Sequence, residues 1–218
     1  MNTKPDAITV LCYGDSNTWG QKPDKTGRYN ADIRWTGVLQ EKLGDGYYII
    51  EEGLSSRTTD LEYRKPGRNG KTYLVPCIAS HNPLDIVVIM LGTNDLKTEF
   101  KRSVEEVAHA IHGLVGDVKV NALTKEKKIP RIIIVSPIYI NSHAPKFKEF
   151  YTGIYDGESG SKSRKLATQL EDIAREDECT FVDASTVSES GIDGIHFSEE
   201  SHPKLGFLLA NTIKQLHP

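Results

Sequence analysis

The sequence holds little of what usually places a protein quickly. Of its 218 residues only three are cysteine, two methionine and two tryptophan. Cys12, Cys77 and Cys179 lie far apart and form no CxxC pair, which excludes a disulfide framework and reads as reduced, mostly buried thiols. The longest apolar run, Ile86 to Leu91, is far too short to span a bilayer, so no membrane association is expected. Residues 1–7 carry Lys, Pro and Asp with no apolar stretch, so no secretory signal is expected and a cytoplasmic protein is. Acidic and basic residues, 30 against 27, are interleaved to a net charge of −3. The densest basic run, Lys125 to Arg131, is a short connection, and nothing resembles the basic stripe that nucleic-acid binding requires. Neither GxxxxGK[ST] nor GxGxxG occurs, so a phosphate loop has no support, and the GxSxG elbow of another hydrolase fold is missing too. His81, His143, His202 and His217 make no HExxH or cysteine–histidine spacing, and neither a metal nor a cofactor is expected.

What is present is alternation. The segments 7–13, 47–52, 85–91, 131–135 and 180–183 are short, mostly apolar and rich in β-branched residues, as suits parallel strands covered on both faces. Helical patterns lie between them. Val104, Val107, Ala108, Ile111, Leu114, Val115 and Val118 share one face behind a Ser103/Glu106 capping box. Leu205, Leu208, Leu209, Ile213 and Leu216 form a second stripe behind a Ser198 cap, and 33–43, 162–176 and, more weakly, 73–80 complete the set. This pattern predicts a single α/β domain over residues 1–218, a three-layer sandwich around a five-stranded parallel sheet. The stretch 137–161, with its scattered aromatics, reads as a long loop, either functional, at an interface or a surface excursion.

In such a fold the chemistry belongs just beyond the carboxyl ends of the strands. Four strand ends deliver small polar or catalytic residue types there: Gly14-Asp15-Ser16-Asn17, Gly53-Leu54-Ser55-Ser56, Gly92-Thr93-Asn94-Asp95 and, after a short connection, Asp193-Gly194-Ile195-His196. Singly each means little, because a strand-end serine or asparagine is ordinarily turn chemistry. Together they supply a nucleophile in Ser16, a base in His196 that can remove its proton near neutral pH, and a carboxylate in Asp193 that can fix the imidazole tautomer. Asn94 and backbone amides of the second strand's loop supply donors for the oxyanion that acyl transfer develops.

These blocks resemble those of the SGNH (GDSL-type) hydrolase superfamily: GDSN, GTND and DGIH stand where its first, third and fifth blocks stand. The segments RWTGVL at 34–39, EEGLSSRTT at 51–59 and PLDIVVIMLGTND at 83–95 are similar to bacterial arylesterases that also act as acyltransferases. The resemblance covers nearly the whole chain. It implies the flavodoxin-like SGNH hydrolase fold, Ser16, Asp193 and His196 as triad, and an oxyanion hole of Asn94 with the amides of Ser16 and Ser56. Two departures stand out. Asn17 replaces the leucine of the name-giving GDSL, at what reads as a surface turn tolerant of change, and Ser56 stands where the second block usually offers glycine.

The expected activity is hydrolysis of small carboxylic esters through an acyl-enzyme on Ser16, with acyl transfer to alcohols alongside. The rivals are a carbohydrate deacetylase on the same triad and a non-catalytic small-ligand-binding module. Asp15 and Trp19 are expected to touch substrate. Trp19 follows Ser16 closely enough to narrow the pocket, so short acyl chains are favoured. Beside Asp193 the His196 pKa is expected at or somewhat above its ordinary ~6.5. The expected partner is the small-molecule ester, with a homo-oligomer as the further possibility.

Overall fold

The computed structural model describes residues 4–216. Five strands, β1 (Ile8–Gly14), β2 (Tyr47–Gly53), β3 (Ile86–Met90), β4 (Arg131–Ser136) and β5 (Thr180–Asp183), form one parallel sheet in the order β2-β1-β3-β4-β5. All four neighbouring pairs are parallel, with Gly14 in register with both Gly53 and Met90.

The two-residue period of β1 divides the core. Val10 and Cys12 point to one face, where α2 (Trp35–Leu43) and α7 (Ser201–Leu216) bury Trp35, Leu39, Leu205, Leu209 and Ile213 against the sheet. Leu11 and Tyr13 point to the other, covered by α3 (Gly70–His81), α4 (Val104–Asn121) and α6 (Gly157–Glu176). The expected three-layer sandwich is therefore present. No helix among the described residues is long and apolar enough to cross a membrane.

The elements differ from expectation mainly at their ends. The Ser103/Glu106 capping box starts α4 as predicted. α3 runs longer than its pattern, from an Asn69 cap and with Pro76 inside, a residue that weakens any helical reading of the sequence. α7 begins at Ser201, three residues after the predicted cap. The largest departure is the stretch 137–161, which is not one long loop. It contains the short helix α5 (Phe147–Tyr151) and the first turns of α6, which starts at an Asp156/Ser159 capping box rather than at residue 162. The glycines and serines at its start, Gly157, Ser159, Gly160 and Ser161, carry low helix propensity and hide it. Phe147, Tyr151 and Tyr155 are buried, so this stretch belongs to the core and, as described next, to the site.

Candidate active site

The strand order reverses between β1 and β3, and the residues just beyond those two strands face each other there. Ser16 opens a one-turn helix, α1 (Ser16–Trp19), directly after β1. Being first, its N–H has no partner within the helix. The Asp15 side chain caps that turn by accepting from the Asn17 N–H. α1 lies close against β2: a Cβ on Gly53 would come within 2.2 Å of the Trp19 nitrogen, so only glycine fits at that crossing.

The loop after β5 brings Asp193 and His196 to the same place. Asp193 Oδ1 accepts from the N–H groups of Ile195 and His196, both at 2.9 Å, while Gly194 takes the left-handed conformation at φ +77°. This turn leaves Asp193 Oδ2 free to accept from His196 Nδ1 at 2.6 Å. His196 Nε2 in turn lies 2.9 Å from Ser16 Oγ. With Nδ1–H committed to the carboxylate, Nε2 is the nitrogen that accepts the serine proton. The structure thus brings Ser16, His196 and Asp193 into one hydrogen-bonded line.

Asn17 corrects one expectation. It is buried, not at a surface turn, and its amide spans the histidine: Nδ2 donates to Ile195 O at 3.2 Å and Oδ1 accepts from Phe197 N–H at 2.9 Å. The side chain next to Ser16 therefore clamps the loop that carries His196.

A small cavity of about 140 Å³ opens onto Ser16, Ser56, Asn94 and His196 and is walled by Tyr151 and Tyr155. Ser56 sits at φ +66°, in the left-handed region that favours glycine. The Asn94 amide is held at three points: its Oδ1 accepts from Lys97 Nζ at 2.5 Å, and Nδ2 donates to Arg57 O at 3.1 Å and Asp15 Oδ2 at 3.2 Å. To meet an oxyanion, Nδ2 has to exchange one of these long bonds. Asp15 and Trp19 do not line the cavity. The Asp15 carboxylate lies behind Asn94, and Trp19 packs under the Arg28 guanidinium, 5.3 Å away. A wider surface concavity of about 670 Å³ lies at the opposite end of the sheet, beside Asp85, Arg131 and Thr180, where no nucleophile–base pair stands.

Several residues of the site have no role that the sequence assigns. Tyr151 donates from its hydroxyl to Asp193 Oδ2 at 3.1 Å, and Lys25 Nζ lies 3.3 Å from the same oxygen and against the Tyr151 hydroxyl. Arg57, buried, ties the carbonyls of Gly14 and Glu52 together at the ends of β1 and β2. Asp95, within the GTND block, accepts from Thr59 and Arg102 and anchors the loop after β2 to the one after β3.

The electrostatics follow from burial. Burial alone would raise the Asp193 carboxyl, but its hydrogen bonds from His196 and Ile195 and the imidazole charge win and hold it at about 2. His196 is lowered, contrary to expectation: burial is the largest influence, Lys25 and Lys97 add to it, and Asp193 only partly opposes them. Burial raises Asp15 to about 6 and lowers Lys97 to about 8.

Known proteins resemble this chain in sequence and in fold. The model of the GDSL-like Lipase/Acylhydrolase family matches residues 12–203. An acetylxylan esterase of Xylanibacter ruminicola is 27% identical over 233 aligned positions, which take in 97% of this chain and 44% of that protein. The chain thus spans less than half the length of that relative. Among solved structures, a carbohydrate acetylesterase from Sinorhizobium meliloti is 40% identical with a TM-score of 0.88, over 96% of this chain and 99% of that one. The M. smegmatis aryl esterase is 39% identical with a TM-score of 0.89, over 96% of this chain and all of that one.

Proposed function

The chain belongs to the GDSL-like lipase/acylhydrolase family, and from that premise we propose that it is a serine esterase acting on small carboxylic esters through an acyl-enzyme on Ser16. The observation that carries the reading is the unbroken line Ser16 Oγ, His196 Nε2, His196 Nδ1, Asp193 Oδ2, with steps of 2.9 and 2.6 Å on either side of the imidazole. In the acylation step Ser16 Oγ attacks the ester carbonyl carbon as its proton passes to His196 Nε2. The imidazolium formed is stabilised by Asp193, and the tetrahedral oxyanion faces the N–H groups of Ser16 and Ser56 and the Asn94 amide. Collapse breaks the bond to the leaving alcohol, which takes the proton from Nε2. A water molecule, deprotonated by the same nitrogen, then attacks the acyl carbon and restores Ser16. An alcohol in its place gives acyl transfer, and the ratio of new ester to acid at fixed alcohol concentration measures that branch.

The acyl group is short in this reading. A cavity of about 140 Å³ walled by Tyr151, Ile154 and Tyr155 has room for an acetyl to butyryl chain and little more. Acetate esters turn over more efficiently than dodecanoate esters, and the reverse order would refute the assignment of this cavity to the acyl group.

A second reading on the same triad, deacetylation of carbohydrates, is favoured by the likeness to an acetylxylan esterase and a carbohydrate acetylesterase and by the polar side chains of Gln21 and Lys25 at the cavity. Parallel kinetics on phenyl acetate and an acetylated sugar separate the two. The test of the mechanism itself is covalent. A fluorophosphonate labels Ser16 stoichiometrically and abolishes turnover, and Ser16→Ala loses both. Labelling confined to another serine, or no turnover of any activated ester, sinks the proposal and leaves a small-ligand-binding module.

A further inference from the structure

On the α3 face of the sheet, away from the triad, three chemically different metal donors converge. Glu52 follows Ile50 by two residues on the edge strand β2, so the strand period turns both side chains toward α3. Cys77 and His81 stand four residues apart on α3, which stacks them on one face. A carboxylate oxygen of Glu52, the Cys77 sulfur and a ring nitrogen of His81 all lie within 4.8 Å of one another, and His81 Nε2 is 2.9 Å from Glu52 Oε1. A tetrahedral centre with bonds of ~2.0 to 2.3 Å holds its ligands ~3.3 to 3.8 Å apart, so the pair at 2.9 Å opens and a pair at the 4.8 Å limit closes by about 1 Å on binding.

We propose that Glu52, Cys77 and His81 bind one divalent ion of the Zn²⁺ class, with a fourth position left for water. Three features of the place support this. Thiolate, imidazole and carboxylate together are the donors of a borderline-soft ion and not of Mg²⁺ or Ca²⁺, which take oxygen ligands. Cys77 and His81 belong to the last turns of α3, where the carbonyl end of the helix favours positive charge. Cys77 is almost fully enclosed, at 1% exposure, whereas the side chains of His81 and Glu52 are 30% and 20% exposed and leave a way in. On binding, Cys77 gives its thiol proton to the buffer and the sulfur takes the ion; nothing is oxidised or reduced.

The ion would pin the end of β2 to α3 just before the loop that carries Ser56. Glu52 O accepts from Arg57, and Arg57 O accepts from Asn94, so the site is joined to the cavity by two hydrogen bonds.

The test is a Co²⁺ titration of the metal-free full-length chain, followed by absorption. The expected result is a 1:1 complex with a thiolate-to-cobalt charge-transfer band and the intense visible bands of four-coordination, both displaced by Zn²⁺. Cys77→Ser abolishes the charge-transfer band, and Cys179→Ser, which alters the half-buried thiol elsewhere, leaves it intact. His81→Ala and Glu52→Gln each weaken binding at least as much as loss of an outer-shell partner does, ~10- to 100-fold. No band in the parent chain, or a band that survives Cys77→Ser, overturns the proposal. Should Cys77→Ser fail to fold, the half-exposed His81 decides, and unchanged Co²⁺ affinity in His81→Ala refutes the site.

Discussion

Ser56 offers a perturbation whose two effects can be worked separately from the structure. Its φ of +66° places a side-chain-bearing residue in the left-handed region, where the Cβ costs about 1–2 kcal/mol. Glycine escapes that cost but loses about 0.5–1 kcal/mol more conformational freedom on folding. Ser56→Gly is therefore neutral to modestly stabilising, with a melting temperature unchanged or up by a few degrees at ~2–4 °C per kcal/mol for a chain of this size. Because the proposed oxyanion donor is the backbone N–H, turnover in Ser56→Gly stays within about threefold of the parent, a difference of under ~0.7 kcal/mol. Ser56→Pro is the opposite case. Proline fixes φ near −65°, the wrong sign for this turn, and has no N–H to donate. Loss of one oxyanion donor costs ~10²–10³ in turnover, and the forced backbone change adds to it. Asn94→Ala, which removes the side-chain donor and leaves the backbone alone, gives the reference loss of the same ~10²–10³. The assay is steady-state hydrolysis of phenyl acetate, with calorimetry and circular dichroism on each variant. The losses fall in kcat more than in KM, since the charge being met exists only in the transition state. A hundredfold loss in a well-folded Ser56→Gly, with Asn94→Ala nearly normal, would refute this assignment of donors.

His196 acts as a base only when neutral, and its burial lowers its pKa, so the acid limb of kcat/KM falls below the ordinary histidine value of ~6.5; a limb above that value contradicts the reading. Asp193→Asn loses about four orders of magnitude in kcat through the wrong imidazole tautomer. Tyr151→Phe removes one hydrogen bond to the same ionised carboxylate, worth ~1.5–3 kcal/mol, and costs no more than about a hundredfold; equal losses in the two variants would show Tyr151 acting on substrate directly. Asn17→Leu, the residue of the name-giving motif, leaves the Phe197 N–H and Ile195 O buried without partners and lowers urea stability by ~1–3 kcal/mol, so an unchanged midpoint would show that the clamp carries no stability. His202 is buried and burial lowers its pKa to about 3. As pH falls from 7 to 5 the unfolded chain binds a proton there and the native one does not, so stability is lost on acidification by ~2 kcal/mol through this residue. Asp15 and Asp95, both raised to about 6, act in the opposite direction, so the measurement is the difference between parent and His202→Asn in urea unfolding at the two pH values. Identical pH slopes would mean that His202 is not held neutral.

The sheet was legible because it is encoded locally. Each strand is a mostly apolar run, most nearly continuous in β3 and β4, where burial on both faces of a parallel sheet demands it, and all five were found within a residue or two of their true ends. Asp193 and His196 were legible for a related reason: their pairing is made within one turn, through the carboxylate that accepts two backbone N–H groups and then the imidazole. The first turn of α6 escaped because its two glycines and its serines are poor helix formers, held in helix by the Asp156/Ser159 box.

The succession of strands and main helices, the two faces of the core and the polar residues at the four strand ends can be read locally, because each depends on neighbours a few residues away. What surrounds them is set by contacts distant in the chain. Tyr151 and Lys25 reach Asp193 across 42 and 168 residues of chain, and Asn17 reaches the loop that carries His196 across 180. None of these contacts has a periodicity or a spacing. The drop in the His196 pKa belongs with them, since Asp193 could be read beside it but the burial and the two lysines that outweigh it exist only once the chain has closed over the site.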